Sequence, residues 1–222
     1  TIHKALRSLK EQGVSSLVLD LRSNPGGLLR SATRVANEFL ATGRIVFTRG
    51  RQVPRNEIKA NKKGTYLQGD LVVLMDEQSA SAAEILSGAL KDWDRGVIVG
   101  QRSYGKGSVQ NVIPVRRDEA LLKLTTAYYY LPSGRLLHRQ NNAEGWGVDP
   151  DVEVYVTPRQ RLRWLQIRQK TDLLQDFDPE LLKADLAQMY DADIQLNTAV
   201  LLLELMRLKR QTESAKWVAS ES

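Results

Sequence analysis

Cysteine is absent from the 222 residues, and histidine occurs only twice, as His3 and His138. Without cysteine the chain has no disulfide and no thiolate-bound metal, and the redox compartment is left open. Two histidines are also too few for the clustered ligands that zinc normally takes in proteins. The composition therefore disfavours a metal site.

Long apolar runs are missing as well. No segment approaches the roughly 20 apolar residues that a membrane-spanning helix needs. The amino terminus carries no signal-peptide pattern. The chain begins at Thr1 without methionine and continues directly into a helical pattern. These features predict a segment of a longer protein from which a targeting sequence has been removed.

The chain carries an excess of positive charge, but the basic residues are spread along the sequence. The net charge is +6 and the isoelectric point is about 9.5, values that would suit a nucleic-acid-binding protein. The basic residues are scattered, however, and their two local concentrations, Lys59–Lys63 and Arg159–Arg163, contain no interleaved aromatic residue. We therefore expect a solvated basic face and no nucleic-acid partner.

Two serines lie at a predicted strand-to-helix turn. The apolar run Leu71–Met75 predicts a buried strand, and Ala82–Leu90 consists of helix formers. Ser79 and Ser81 lie between them, beside backbone N–H groups that have no intrahelical partner and suit a developing oxyanion. Serine is also a favoured N-cap, and Ser81 with Glu84 matches a capping box. This pattern is compatible with two roles for a serine at the turn, a nucleophile and a helix cap.

A lysine follows the serines in a glycine-flanked loop. Lys106 stands between two glycines after the predicted strand Gly96–Gly100, a poor place for a lysine that only contacts solvent. A nucleophilic serine needs a base, and a lysine serves if burial lowers its pKa from about 10.4 toward neutrality. Lys106 lies 25 residues after Ser81, and Gln110 lies four residues further on.

A second strand-to-helix loop is rich in turn residues. Asp20–Gly27 reads Asp-Leu-Arg-Ser-Asn-Pro-Gly-Gly, between the short strand Leu17–Leu19 and the predicted helix Leu28–Leu40. The Pro-Gly-Gly sequence allows backbone conformations that present N–H groups to an anion, although an ordinary turn fits it equally well. For Asp20 and Arg22 we expect an ion pair or loop-bracing hydrogen bonds, since no histidine lies near them in sequence.

These segments together resemble the carboxyl-terminal processing, or tail-specific, serine peptidases. That family has an Asp-Leu-Arg-x-Asn-Pro-Gly-Gly segment, a serine three residues before a glutamate, and a Gly-Lys-Gly-Ser/Thr-Val-Gln segment, which match Asp20–Gly27, Ser81–Glu84 and Gly105–Gln110. The turn Pro132–Arg135 and the segment Gly145–Val154 also match. The matches follow the family's order over roughly residues 5 to 156.

The resemblance implies an endopeptidase that cuts proteins near their carboxyl termini. It identifies Ser81 rather than Ser79 as the nucleophile, Lys106 as the general base, and Gln110 as the group that orients the lysine. The implied substrates are proteins or peptides with unstructured carboxyl-terminal tails. No metal and no cofactor is implied.

The same resemblance implies an oxyanion hole made of backbone N–H groups. One donor is the residue after the nucleophile, Ala82. The other is Gly26 or Gly27, and we expect Gly26.

The predicted fold class is α/β. Residues 17–40 and 71–90 both follow a strand–loop–helix order, and the resemblance implies a spiral strand–strand–helix core of the ClpP/crotonase type. We predict an exposed loop over Arg51–Gly69 and a hairpin of Val109–Val115 and Ala120–Tyr130, with a turn at Arg116–Glu119.

The chain is expected to divide into a Ser-Lys peptidase core, residues 1–156, and a helical extension, residues 157–222, that caps the core or mediates homo-oligomerisation. Helices are predicted to begin at Thr157, at Asp178 and near Asn197, with polar, frayed residues from Gln211 onward. The family normally carries a PDZ domain before this region, which we expect upstream of Thr1. The family also suggests export, to the periplasm, cell envelope or lumen.

Three other functions remain open. The chain could be a catalytically silent peptide-binding or scaffold module with the same fold; the presence of all the dyad residues counts against this function, and the missing PDZ region counts for it. A basic nucleic-acid-binding domain would show salt-dependent binding. A crotonase-type acyl-transfer enzyme would need a coenzyme A site, for which the sequence shows no signature.

Overall fold

The computed structural model describes residues 2–115, 120–141, 143–171, 190 and 192–220. Its elements, in chain order, are α1 (Ile2–Glu11), β1 (Ser16–Asp20), α2 (Leu29–Phe39), β2 (Arg44–Arg49), β3 (Asn56–Lys59), β4 (Asp70–Met75), α3 (Ala82–Asp92), β5 (Val97–Gly100), β6 (Ser108–Val115), β7 (Ala120–Tyr130), β8 (Val152–Glu153), α4 (Pro158–Thr171) and α5 (Ile194–Ser220).

A parallel sheet forms the centre of the protein. Its strand order is β1-β4-β5-β8, with Leu17 opposite Leu71 and Val73 opposite Ile98. Strand β4 is buried along almost its whole length, as expected for a continuous apolar run in a sheet covered on both faces. The carboxyl ends of the parallel strands all lie at one edge, so the loops that follow β1, β4 and β5 meet there.

Helices cover both faces of this sheet. Leu71, Val73 and Met75 face one core, which also contains side chains of α1, α2 and α3. Val72 and Leu74 face a second core, closed by residues of α5. The alternation follows from the two-residue period of a strand.

A second, antiparallel sheet has the order β3-β2-β7-β6. Its β6–β7 hairpin begins at Ser108 opposite Tyr128 and ends at Val115 opposite Ala120. The outer half of the hairpin is solvent-exposed although it is apolar, and Leu121 retains 70% of its accessible surface. Strand β6 forms one edge of this sheet.

The described part of the carboxyl-terminal extension is helical. Helix α4 begins at the predicted cap, where Thr157 Oγ1 accepts the Gln160 N–H and Gln160 Oε1 accepts the Thr157 N–H. Helix α5 packs on the central sheet through Ala199 and Leu203. Within the described ranges, no helix has the length and apolar character required to cross a bilayer.

The structure confirms the α/β class and both strand–loop–helix units, β1 to α2 and β4 to α3. Two local predictions were wrong. The segment Arg51–Gly69 contains a strand, β3, because Asn56–Lys59 pairs with β2, and α5 continues through Gln211 to Ser220. The predicted turn at Arg116–Glu119 and the helix predicted to begin at Asp178 lie outside the described residues.

Candidate active site

Ser81 occupies a strained turn between β4 and α3. Its backbone has φ +56° and ψ −115°, which is uncommon for a residue other than glycine. An ordinary N-cap has an extended backbone, so the cap role alone does not explain this conformation. Strained strand-to-helix turns of this kind present a nucleophile at the end of a sheet. The capping box with Glu84 is present as well, so the two interpretations of Ser81 are compatible.

Ser79 has a structural role. It is fully buried, its Oγ donates to the Leu21 carbonyl at 2.8 Å, and it accepts the Asp76 N–H at 3.0 Å. The hydroxyl therefore joins the loop after β4 to the loop after β1. Ser81 is only partly buried, and the geometry favours it over Ser79 as the reactive serine.

Glu84 connects the serine turn to the lysine loop. This carboxylate is completely buried and accepts four hydrogen bonds. Its Oε2 accepts the N–H groups of Ser81 at 2.7 Å and Lys106 at 2.8 Å. Its Oε1 accepts the Ser103 hydroxyl at 2.5 Å and the Gly105 N–H at 2.6 Å. The backbones of both predicted catalytic residues are thus held on one oxygen atom.

The lysine loop, residues 103–107, packs tightly against the segment that contains His138 and Trp146. A Cβ atom at Gly105 would lie 2.5 Å from the Trp146 ring, and one at Gly107 would lie 2.5 Å from the backbone nitrogen of His138. Both positions require glycine for this reason. The glycines that flank Lys106 therefore allow close packing, beyond any flexibility they give the loop.

The side chains of the predicted dyad are not hydrogen-bonded to each other. Lys106 is exposed, and so is Gln110, which lies on β6 opposite Thr125 at an irregularity in the strand pairing. In the described chain no hydrogen bond links the side chains of Ser81, Lys106 and Gln110. The burial on which the sequence argument for Lys106 depends is absent from this structure.

The glycine loop after β1 lies directly against the serine turn. Gly26 has φ +97°, and a Cβ there would lie 2.6 Å from the Ala80 carbonyl oxygen and 2.8 Å from the Ala82 nitrogen. The Gly26 N–H donates to Asn24 Oδ1 at 2.9 Å. Within the described residues the Gly27 N–H has no acceptor, and the Ala82 N–H belongs to the first turn of α3, where helices leave donors unpaired.

An apolar cavity of about 240 Å³ opens beside these amides. Ala82, Gly26 and Gly27 form part of its wall, and the rest is mostly apolar, including Leu21, Leu28, Ala32, Val35 and Leu86. The cavity has the size and chemistry to hold an apolar side chain next to Ser81.

The sequence of residues 1–154 matches the model of Peptidase family S41. The chain belongs to this family. The S41 match covers the central sheet, the serine turn, the lysine loop and the glycine loop, and it stops before α4.

Curated relatives of this S41 chain carry related names. It is 46% identical over 140 residues to a carboxy-terminal-processing protease of Bartonella bacilliformis, a match that covers 62% of this chain and 30% of that protein. It is 39% identical over 150 residues to a carboxyl-terminal-processing protease of Synechocystis sp., covering 68% of this chain and 33% of that protein. The chain thus spans about a third of these relatives.

A solved structure shares the S41 fold. The photosystem II D1 C-terminal processing protease superposes with a TM-score of 0.64 and 37% sequence identity, over 69% of this chain and 38% of that one. This likeness confirms the fold expected from the sequence motifs.

Sequence reasoning missed most of the role of Glu84. The Ser-x-x-Glu spacing indicated its contact with Ser81, but not the three bonds to Ser103, Gly105 and Lys106. The available signal was the polar, glycine-rich composition of Ser103–Gly107, which offers several donors to a single buried acceptor.

Proposed function

We propose that the chain is the catalytic core of a serine endopeptidase that cuts proteins near their carboxyl termini. The observation that supports this function best is the shared Glu84 oxygen, which holds the Ser81 and Lys106 backbones together. This contact supports the function because it joins residues distant in sequence at the carboxyl edge of a parallel sheet, where α/β proteins place their ligand-binding and active sites.

In the proposed mechanism Ser81 Oγ attacks the scissile carbonyl carbon while the neutral Lys106 amine removes the hydroxyl proton. The negative charge that develops on the carbonyl oxygen is stabilised by the N–H of Ala82 and that of Gly26 or Gly27. Lys106 then gives the proton to the leaving amine, which leaves an acyl-enzyme. Water, deprotonated by the same lysine, attacks this ester, and the lysine returns the proton to Ser81 Oγ as the carboxyl product leaves.

Substrate is proposed to complete the dyad. Lys106 and Gln110 are exposed in the isolated chain. A bound polypeptide would cover the amine, and loss of solvent favours the neutral form that a general base needs. Gln110 would then hold the amine toward Ser81.

Strand β6 offers a surface for an extended substrate. It begins two residues after Lys106 and is an edge strand, so its outer N–H and C=O groups can pair with a peptide tail. Proteins with unstructured carboxyl-terminal tails are therefore the proposed substrates. An exported location and an upstream PDZ domain belong to the same proposal, on the family resemblance.

The apolar cavity predicts the residue on the acyl side of the cut. Peptides with leucine or valine there should be cleaved at least about 100-fold faster, as kcat/KM, than peptides with aspartate or lysine, because a charged group would lose its hydration in an apolar wall. A peptide series with one varied position measures this preference. Ala32→Leu fills part of the cavity and should reduce cleavage after leucine more than cleavage after alanine. Equal loss for both peptides would place the substrate side chain elsewhere.

Gln110→Ala is expected to lower kcat about tenfold by leaving the lysine less well oriented, a loss of about 1.4 kcal/mol in transition-state stabilisation. Asn111→Ala is the matched control, since Asn111 neighbours it on β6 and donates to Thr126 Oγ1 instead. Its kcat should stay within about twofold of the native value. Equal effects of the two substitutions would assign Gln110 a role in strand stability only.

The function is tested by incubating the chain with an unstructured protein that ends in an apolar tail. Mass spectrometry should reveal new termini near the carboxyl end. If the tail is bound but left intact, the chain is compared with a longer form that carries an upstream region. Cleavage only by the longer form would identify a core that needs that region, and binding without cleavage by both would support the silent peptide-binding module.

A further inference from the structure

Arg22 is buried, and its donors are saturated. Its five guanidinium N–H groups are used by three residues: Asp20 accepts from Nε and Nη2, Asp193 from Nη1 and Nη2, and Gln195 from Nη1. Burial alone would lower the pKa of this guanidinium, but the hydrogen bonds and charges of the two aspartates raise it above its ordinary value. The Trp164 ring lies against its face, 4.5 Å from the guanidinium carbon.

Two of these partners belong to the start of α5. Asp193 Oδ1 also accepts the Leu196 N–H at 3.0 Å, so this carboxylate caps the helix while it holds Arg22. Gln195 donates in turn to the Val154 carbonyl at 2.8 Å. Asp193 and Gln195 are both almost completely buried. The buried cluster of Arg22, Asp193 and Gln195 therefore holds the start of α5 against the loop after β1.

That loop carries the proposed oxyanion donors. Directly after Arg22, the Ser23 N–H and hydroxyl both bind the Asp76 carboxylate, at 2.8 and 3.1 Å. The Asn24 carbonyl accepts the Ala80 N–H at 2.9 Å, next to the nucleophile. Gly26 and Gly27 follow within the same short loop. A displacement of Arg22 would thus shift donors that lie four and five residues away.

Helix α4 contacts the same region. Arg161 bonds Asp76 Oδ2 at 3.2 Å and Glu77 Oε1 at 2.6 Å, on the serine side of the site. The contacting residues of α4 and α5 all lie beyond residue 154, where the family match ends.

We propose that Asp193 is a positioning residue for the peptidase reaction: through its paired hydrogen bonds to Arg22, helix α5 holds the glycine loop at the distance from Ser81 that oxyanion binding requires. This inference rests on the proposed function, and it gives the carboxyl-terminal extension a part in catalysis. Asp193 itself touches no reacting atom.

The test compares Asp193→Asn with a matched substitution on the same helix. Asparagine can retain the cap to Leu196 and one bond to Arg22, but its NH₂ group faces the second guanidinium nitrogen and breaks the paired geometry. Arg210→Gln removes a different ion pair of α5, the one to Asp70 at the opposite end of β4. Arg22→Lys is a second variant that keeps the buried charge without the planar fork.

Steady-state cleavage of a peptide with leucine before the cut is measured for each protein. A peptide aldehyde, which forms a tetrahedral adduct with serine, and the corresponding alcohol are compared as ligands. Asp193→Asn and Arg22→Lys should lower kcat about 100-fold, the size of a lost oxyanion contact, with KM within about threefold. Aldehyde affinity should fall with kcat while alcohol affinity stays unchanged. Arg210→Gln should leave all four quantities within about twofold.

Amide hydrogen exchange of Ser23, Asn24 and Gly26, whose N–H groups are hydrogen-bonded in the loop, gives a readout that needs no activity. It should be at least about tenfold faster in Asp193→Asn than in the native chain and unchanged in Arg210→Gln. Native exchange and native kcat in Asp193→Asn would overturn the inference, as would equal losses in Arg210→Gln. Inactivity of both the native chain and the longer form, together with the expected exchange pattern, would instead count against the proposed function and support only the structural claim that Asp193 holds the glycine loop.

Discussion

Replacing Ser81 by alanine should reduce cleavage by at least about 10⁴-fold, because no other hydroxyl at the turn can form the acyl-enzyme. Lys106→Ala should have an effect of similar size, since the serine hydroxyl then has no base to accept its proton. When groups act as one unit, removing either costs nearly as much as removing both. The double variant should therefore be no slower than the single ones, measured by product formation under identical conditions.

Ser79→Ala is the matched control for Ser81. Its hydroxyl lies two residues away and is used structurally, so its loss should cost about 1–3 kcal/mol of unfolding free energy and lower cleavage by no more than about tenfold. Denaturant titration and cleavage rates separate the two serines. Full activity in Ser81→Ala would show that Ser81 is not the nucleophile. Complete inactivity of a folded Ser79→Ala beside an active Ser81→Ala would show that the nucleophile is Ser79.

Glu84→Gln is expected to damage both stability and activity. The carboxylate accepts four hydrogen bonds in a fully buried position, and an amide turns one of its two oxygens into a donor that faces other donors. We expect a loss of about 2–4 kcal/mol in the free energy of unfolding. Cleavage should fall at least about 100-fold, because the serine turn and the lysine loop lose their common anchor.

Glu77→Gln provides the comparison, with the same chemical change seven residues earlier. Glu77 is largely exposed and pairs with Arg161, so its loss should cost no more than about 1 kcal/mol and leave cleavage within about twofold. Unfolding curves and cleavage rates are recorded for both variants. A Glu84→Gln protein that is destabilised but fully active would show that the shared carboxylate stabilises the fold without aligning Ser81 and Lys106.

Much of the central fold could be predicted because local sequence signals agreed with the tertiary structure. The run Leu71–Met75 is apolar throughout since β4 is covered on both faces, and helix formers follow it directly. Strand β3 was missed because Asn56–Lys59 has little strand character of its own and forms a strand by pairing with β2. Its existence depends on a neighbour that the local sequence does not show.

The state of Lys106 could not be predicted from its surroundings in the sequence. Two flanking glycines suggested a loop with a buried amine, whereas the structure uses those glycines to pack against Trp146 and His138 and leaves the lysine exposed. The burial of a side chain depends on all the residues that pack around it in the folded protein. A short motif records only the residues next to it.

The amino-acid sequence by itself determined the family, the α/β class and the residue types that the proposed chemistry requires, because these depend on short motifs and on hydrophobic patterns. Only the tertiary structure decided which of them share a partner. Ser81 and Lys106 meet on Glu84, and Arg22 meets Asp193 across 171 residues of chain. Such contacts depend on the path of the folded backbone, since buried charges must find their partners wherever the chain brings them.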